Sequence, residues 1–278
     1  MITLGNTYEL KVVKRVEFGA YLDASELGEV LLPKKYVSPA LAVGDLIQVF
    51  LYLDSENRPV ATTEKPKAQV GEFAYLKVVA STAVGAFLDW GLEKDVLVPF
   101  SEQPRPMEVG QSYLVYLYLD KIHGRITATT KIDKIIDEDK PHYFKVNQAV
   151  NLIIANSTDL GYKAIINHSY WGMLYKADVF QRLSFGQSIK GYIKHIRPDG
   201  KINLSLQGGQ ESRDKYEEII LNYLKKQNGF AAVHDNSDPK LITKLFGMSK
   251  GAFKRAIGSL YKQKIITIGK DGIRLVER

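Results

Sequence analysis

The chain repeats itself. Residues 19–33 read GAYLDASELGEVLLP, and residues 85–99 read GAFLDWGLEKDVLVP. Residues 44–54, GDLIQVFLYLD, return at 110–120 as GQSYLVYLYLD. Gly19/Gly85, Pro33/Pro99, Gly44/Gly110 and Asp54/Asp120 are each separated by 66 residues. A third copy is visible from Gly186, where GQSIKGYIKHI begins 76 residues after Gly110. A period this long exceeds the usual solenoid unit and matches a small domain, so the sequence predicts a string of related domains. A unit of about 65 residues lies near the lower practical size for a self-supporting core, so neighbouring units are expected to dock or to share linkers. Strings of small domains of this kind suit an extended, polymeric ligand.

Within each copy the apolar residues alternate. Tyr8, Leu10 and Val12 fall on one face, as do Ile47, Val49, Leu51 and Leu53, which is the period of a strand. Turn signals stand at 17–19, 27–29, 43–45 and 54–59. Five short strands separated by such turns predict a small closed barrel. The second copy predicts strands near 72–80, 85–90, 95–99, 112–119 and 124–130. The third predicts them near 148–156, 161–167, 171–176, 188–195 and 200–206. The expected organisation is three five-stranded OB-type barrels at 1–66, 67–140 and 141–210, followed by a different domain at 211–278. Between them, EKPKAQV (64–70) is a short linker, the charged segment 131–146 is expected to be partly helical, and QGGQESRD (207–214) reads as a hinge.

After residue 213 the period becomes helical. Tyr216, Ile219, Ile220, Tyr223 and Leu224 form one stripe. Ser237-Asp-Pro opens a second helix with Ser237 as its expected N-cap and Leu241, Ile242, Leu245 and Phe246 as its buried side; Gly247 ends it. Ser249 caps a third helix whose Phe253, Ala256, Ile257 and Leu260 face inward. Residues 265–276 read as a hairpin with its turn at Gly269–Gly272. Three helices and a hairpin predict a winged helix.

Charge is distributed unevenly along this plan. Residues 1–66 carry 7 basic and 9 acidic side chains, and 67–140 carry 9 and 11. Residues 141–210 carry 8 and 3, and 211–278 carry 14 and 8, so the whole excess of +7 lies in the second half. A surface of this sign attracts polyanions. With no cysteine, disulfides, thiolate metal sites and cysteine nucleophiles are excluded. The five histidines (His123, His142, His168, His195 and His234) are scattered, and no P-loop or GxSxG motif occurs. The run from Asp137 to Asp139 reads as a solvated linker rather than a metal site. No catalytic residue, metal or cofactor is expected. The N-terminus does not read as a signal peptide, and no apolar run approaches the ~20 residues that span a bilayer. The expectation is a soluble, cytoplasmic protein with no membrane partner.

Phe18-Gly-Ala-Tyr-Leu22, Val84-Gly-Ala-Phe-Leu88, the Leu53-Asp54…Arg58 and Leu119-Asp120…Arg125 segments and Lys201-Ile-Asn-Leu-Ser-Leu206 resemble the RNA-binding OB-fold domain repeated in ribosomal protein S1. In that family two aromatics flank the Gly-Ala pair, a histidine stands on the third strand, and an Asp and an Arg surround the fourth turn; together they line the RNA face. The resemblance points to Phe18, Tyr21, Asp54 and Arg58 in the first copy and to Phe87, Asp120 and Arg125 in the second, with Val84 in place of the first aromatic. The histidine is missing: Leu31 or Leu32, Leu97 or Val98, and Tyr175 occupy its neighbourhood. In the third copy Leu160 and Lys163 stand where the aromatics would be. There Lys163, Lys190, Lys194, Arg197 and Lys201 interleave with Tyr162, Tyr175 and Tyr192, a mixture that suits backbone tracking plus base stacking. Lys190 and Lys194 are four apart and are expected on one strand face. In the third helix Lys250, Lys254, Arg255 and Lys262 avoid the apolar stripe, and Lys270 sits at the hairpin tip, a helix-plus-wing surface able to contact phosphates.

The full arrangement, with GAYLD, VFLYLD, RPVATT, RITATT and MSKGAFKRAIGSLYK as its most specific strings, resembles the conserved virulence factor B family of bacterial proteins. The resemblance implies an RNA-binding regulator of virulence-related gene expression that binds single-stranded RNA. Two other readings stay open: a DNA-binding regulator led by the winged helix, and a protein-interaction scaffold.

Overall fold

The computed structural model describes residues 1–137, 140–179, 181–208 and 210–276, without the side chains of 177 and 210–215. The chain forms two compact units, residues 1–137 and 138–278.

In the first unit, β1 (Thr7–Val16), β2 (Gly19–Asp23), β3 (Glu29–Pro33), β4 (Leu46–Leu53) and β5 (Pro59–Thr62) close a barrel in the order β1-β2-β3-β5-β4. A second barrel of the same connectivity follows: β6 (Phe73–Thr82), β7 (Gly85–Asp89), β8 (Val96–Pro99), β9 (Ser112–Asp120) and β10 (Arg125–Thr129). In the second unit β11 (Ala149–Ser157), β12 (Gly161–Ile166), β13 (Tyr170–Tyr175), β14 (Ser188–Ile196) and β15 (Ile202–Ser205) form a third. Residues 131–146 contain only the single 3₁₀ turn Ile132–Lys134 among their described residues, not the partial helix expected from their charge pattern.

Two devices close each barrel, and both follow the sequence repeat. The long first strand pairs with two neighbours, β4 along its N-terminal half and β2 along its C-terminal half. It turns that corner at a bulge between Val12 and Lys14. The bulge recurs between Val78 and Ala80 and between Ile154 and Asn156. The second device is the repeated glycine. A Cβ on Gly19, Gly85 or Gly161 would fall 2.2, 2.2 or 2.0 Å from the carbonyl oxygen of Leu32, Val98 or Leu174, so no other residue fits where the second strand meets the third.

The two barrels of the first unit share a core. Ile47, Val49 and Leu51 point inward on β4, but Phe50 and Tyr52, on its other face, are buried too. They pack with Val60, Ala68, Trp90 and Leu92 in one cluster that continues into the second barrel. Phe50 meets Trp90 edge-on at 5.6 Å. The Val70 amide donates to the Gly5 carbonyl at 2.8 Å, and the Thr7 amide to Gln69 Oε1 at 2.8 Å. Burying Phe50 alone is worth about 1.5–3 kcal/mol, so the short linker joins two barrels that behave as one body.

The C-terminal domain consists of α1 (Gln210–Lys226), β16 (Phe230–Ala231), α2 (Pro239–Phe246), α3 (Lys250–Lys262), β17 (Ile266–Ile268) and β18 (Ile273–Leu275). Its three strands lie in the order β16-β18-β17. Ile220, Leu224, Ile242, Phe246, Phe253, Ile257 and Leu260 close its core. Asp238, not Ser237, caps α2: its side chain accepts from the Lys240 amide, while Ser237 Oγ accepts from the His234 amide. Leu241 is 39% exposed rather than buried, because the inward side of this short helix runs through Ile242 and Phe246. Gly247 ends the helix at φ 65°, and Ser249 caps α3 by accepting from the Ala252 amide.

Candidate nucleic-acid interface

Strand alternation decides which side chains each barrel offers outward. On β2, Ala20 and Leu22 fill the core, which turns Tyr21 out. Tyr21 pairs with Leu31 on β3, and Leu31 with Val60 on β5. Phe18, just before β2, is 57% exposed and sits edge-on to Tyr21 at 6.4 Å. Lys14 Nζ lies 4.4 Å from the Tyr21 ring centre and pairs with Glu29 at 2.5 Å. The turn between β4 and β5 completes this face. Arg58 Nε donates to Asp54 Oδ2 at 2.9 Å, and its other nitrogens reach Asp54 and Glu56 at 2.8 Å. Burial works to raise the Asp54 carboxyl, but hydrogen bonds from the Arg58 amide and guanidinium outweigh it and hold the group below the usual carboxylate range. Phe18, Tyr21, Asp54 and Arg58 are thus brought to one face.

The second barrel repeats the plan with changes. Phe87 pairs with Leu97, and Leu97 with Thr127; Val84, at the place of Phe18, is 58% exposed. The fourth turn is one residue longer, so Arg125 opens β10 opposite Asp120. His123 Nδ1 takes the Asp120 carboxylate at 2.6 Å and is the leading cause of its lowered pKa. Arg125 is exposed and has no ion pair among the described residues. The register also fixes the missing third-strand histidine: its place across from Tyr21 and Phe87 is held by Leu31 and Leu97, not by Leu32 and Val98, which point inward.

In the third barrel Lys163 is on the outer face and pairs with Met173. Met173, not Tyr175, therefore occupies the histidine place; Tyr175 lies opposite Gly161 on the same face. Tyr162 packs against the barrel core, and Tyr192 lies under the linker, where a Cβ on Gly208 would sit 2.1 Å from its ring. The sequence reading missed Trp171, which alternation places outward with Met173 and Tyr175 and whose ring centre lies 3.9 Å from Lys163 Nζ. Lys190, Tyr192 and Lys194 share the outer face of β14, with Gly191 and Ile193 turned inward. A bulge between Ile193 and His195 follows, and the Lys194 ammonium donates to both Asp178 oxygens at 2.7 Å. Arg197 and Lys201 bracket the fourth turn where Asp54 and Arg58 bracket the first barrel's, and Arg197 pairs with Asp199 at 2.9 Å.

On α3, Lys254 and Arg255 are exposed and Lys250 is half-buried, all away from Phe253 and Ile257. Lys254 approaches Asp235 at 3.7 Å. Lys262 ends the helix, and Lys270 is exposed in the turn between β17 and β18. Arg274 pairs with Asp271 and covers the Phe230 ring at 4.2 Å. Among the described residues no three His, Cys, Asp or Glu side chains are grouped to hold a metal, and no helix is long and apolar enough to cross a membrane. Glu138 and Asp139 lie outside the described residues.

The S1 domain model matches residues 4–64 and 70–131, and the CvfB-like winged helix domain model matches 218–275. Conserved virulence factor B of Staphylococcus aureus is 30% identical over 258 residues, covering 86% of this chain and 82% of the relative. The chain belongs to the conserved virulence factor B family. Within it, the Staphylococcus saprophyticus protein is 27% identical over 99% of this chain and 91% of its own length. Bacillus subtilis YitL is 29% identical over 93% and 89%. The three barrels and winged helix are thus the architecture of a conserved virulence factor B protein, with S1-type nucleic-acid-binding domains in the first unit.

Proposed function

We propose that this protein binds single-stranded RNA in the cytoplasm without catalysing a reaction on it, and so regulates bacterial gene expression, including virulence-related genes, after transcription. The observation that carries this reading is the pair of outward faces built from Phe18, Tyr21 and Arg58 on the first barrel and from Phe87 and Arg125 on the second. A barrel face offers splayed bases an aromatic surface, and the adjacent cations track the backbone. Lys163 with Trp171, Tyr175, Lys190, Lys194, Arg197 and Lys201 extends the same chemistry to the third barrel. Competition binding at one salt concentration tests it. Single-stranded RNA should displace a labelled RNA better than single-stranded DNA, and far better than duplex DNA.

A second reading has its own observation. Lys250, Arg255, Lys262 and Lys270 have no ion pair among the described residues, and a cationic helix with a wing suits duplex phosphates. The first turn of α3 offers Lys250, Gly251 and Ala252, with no Asn, Gln or Arg to read base edges. Under this reading duplex DNA is the best competitor and sequence matters little.

A further inference from the structure

The junction between the first two barrels carries a pair of cations that the rest of the unit does not explain. Most lysines and arginines around it are matched by carboxylates: Lys14 by Glu29, Lys35 by Glu93, Arg58 by Asp54 and Glu56, and Lys67 by Asp89. Lys94 is not. It lies half-buried between Trp90 and β8, held by the Trp90 indole N–H, which donates to the Lys94 carbonyl at 2.6 Å. Its ammonium crosses from the second barrel to the first and donates to the Asp54 carbonyl at 2.7 Å. That bond uses one of its three N–H groups. The Asp54 carboxylate is committed to Arg58, and no carboxylate forms an ion pair with Lys94 among the described residues.

β10 runs parallel to β8 with Thr127 beside Leu97, so Arg125, two residues before Thr127, lies alongside Asp95 and next to Lys94. Burial depresses the Lys94 pKa first, and Arg125 depresses it further, with only the weaker pull of Asp54 opposing. Arg125 is itself unmatched for an independent reason: the longer turn hands Asp120 to His123. Two neighbouring cations, neither in an ion pair among the described residues, repel each other, and an anion is the group that relieves it.

Resting on the RNA reading, we propose that Lys94 and Arg125 form a phosphodiester site at the barrel junction, fixing the backbone of a strand as it passes from the Tyr21–Arg58 face to the Phe87 face. The free N–H groups of Lys94 and the Arg125 guanidinium would donate to the phosphate oxygens. The site makes the two faces one continuous track of set register.

The test uses the full chain and a labelled oligouridylate of about 20 nucleotides, longer than the about 4–16 that one OB barrel covers. Binding isotherms are measured at several salt concentrations for wild type, Lys94→Gln and Arg125→Gln. Each variant should weaken binding about 5- to 10-fold and lower the log–log salt slope by about 0.7, the value for one phosphate contact on a single strand. Arg125→Gln leaves the Lys94–Asp54 bond intact, so it remains informative if Lys94→Gln loosens the junction. Wild-type binding with slopes unchanged in both variants would overturn the junction site and leave the RNA reading standing. Absence of wild-type binding would overturn both.

Discussion

Tyr21 and Phe18 show how a single position sets what the first barrel can do. Tyr21 is turned outward because Ala20 and Leu22 are needed inside, and Phe18 is exposed beside it. Replacing either with Ala should weaken single-stranded RNA binding by about 1–3 kcal/mol per stacked base, or about 5- to 150-fold. Phe18→Ala should shift stability by less than about 1 kcal/mol, since more than half of the side chain is exposed; titration of RNA alongside thermal unfolding separates the two effects. Asp54 has a different, structural part. Its folded-state pKa is depressed, so its stabilising contribution is present above the unfolded carboxylate pKa and is lost as pH falls through the folded value. Asp54→Asn should therefore destabilise at neutral pH, with the difference from wild type starting to shrink as pH falls below about 4 and gone only below the lower folded value; denaturant melts across that range check it. The outward parity of Tyr21, Phe87 and Arg58 was legible because the strands repeat. Lys94 was not, because its meaning depends on a carbonyl 40 residues away in another barrel.

At the level of strands and helices, the repeat supplied most of the information. Turn residues at fixed offsets bounded the strands of the second and third barrels to within about two residues of β6–β15. Alternation puts Lys190 and Lys194 on one outer face, as β14 does, but it does not show that Lys194 is tied to Asp178. Trp171 stands outside the Lys–Tyr pattern of the third copy, although β13 puts it on the same side as Tyr175. At α2 the capping chemistry was right in kind and shifted by one residue, since Ser237 and Asp238 are both good caps and only the loop geometry chooses between them. The repeated glycine gives the sharpest element-level prediction. Gly85 has φ 147° and no room before the Val98 carbonyl. Gly85→Ala should destabilise the first unit by about 3 kcal/mol, whereas Gly110→Ala, with open space around it but φ 90°, should cost about 1 kcal/mol. Urea unfolding of the two variants distinguishes a packing demand from a purely conformational one.

For the whole molecule, charge and aromatic surface are divided between the units. The first unit has the matched aromatic faces and an excess of acidic residues; the second has the basic excess. The order of domains was readable because the 66-residue period is unmistakable and the helical period replaces it after residue 213. The shared core of the first two barrels was not, since Phe50 and Tyr52 sit in a run, VFLYLD, whose inward alternation already accounted for a strand. The third barrel, with Lys163 and Met173 at the aromatic and histidine places, lies outside the residues matched by the S1 model. Photocrosslinking of the full chain with RNA carrying 4-thiouridine, followed by mapping of the modified peptides, tests whether single-stranded RNA lies on the outer barrel faces. Adducts on the peptides holding Phe18 and Tyr21, Phe87, and Trp171 are the predicted result. Adducts confined to α3 and the β17–β18 turn, and lost on addition of duplex DNA, would contradict it.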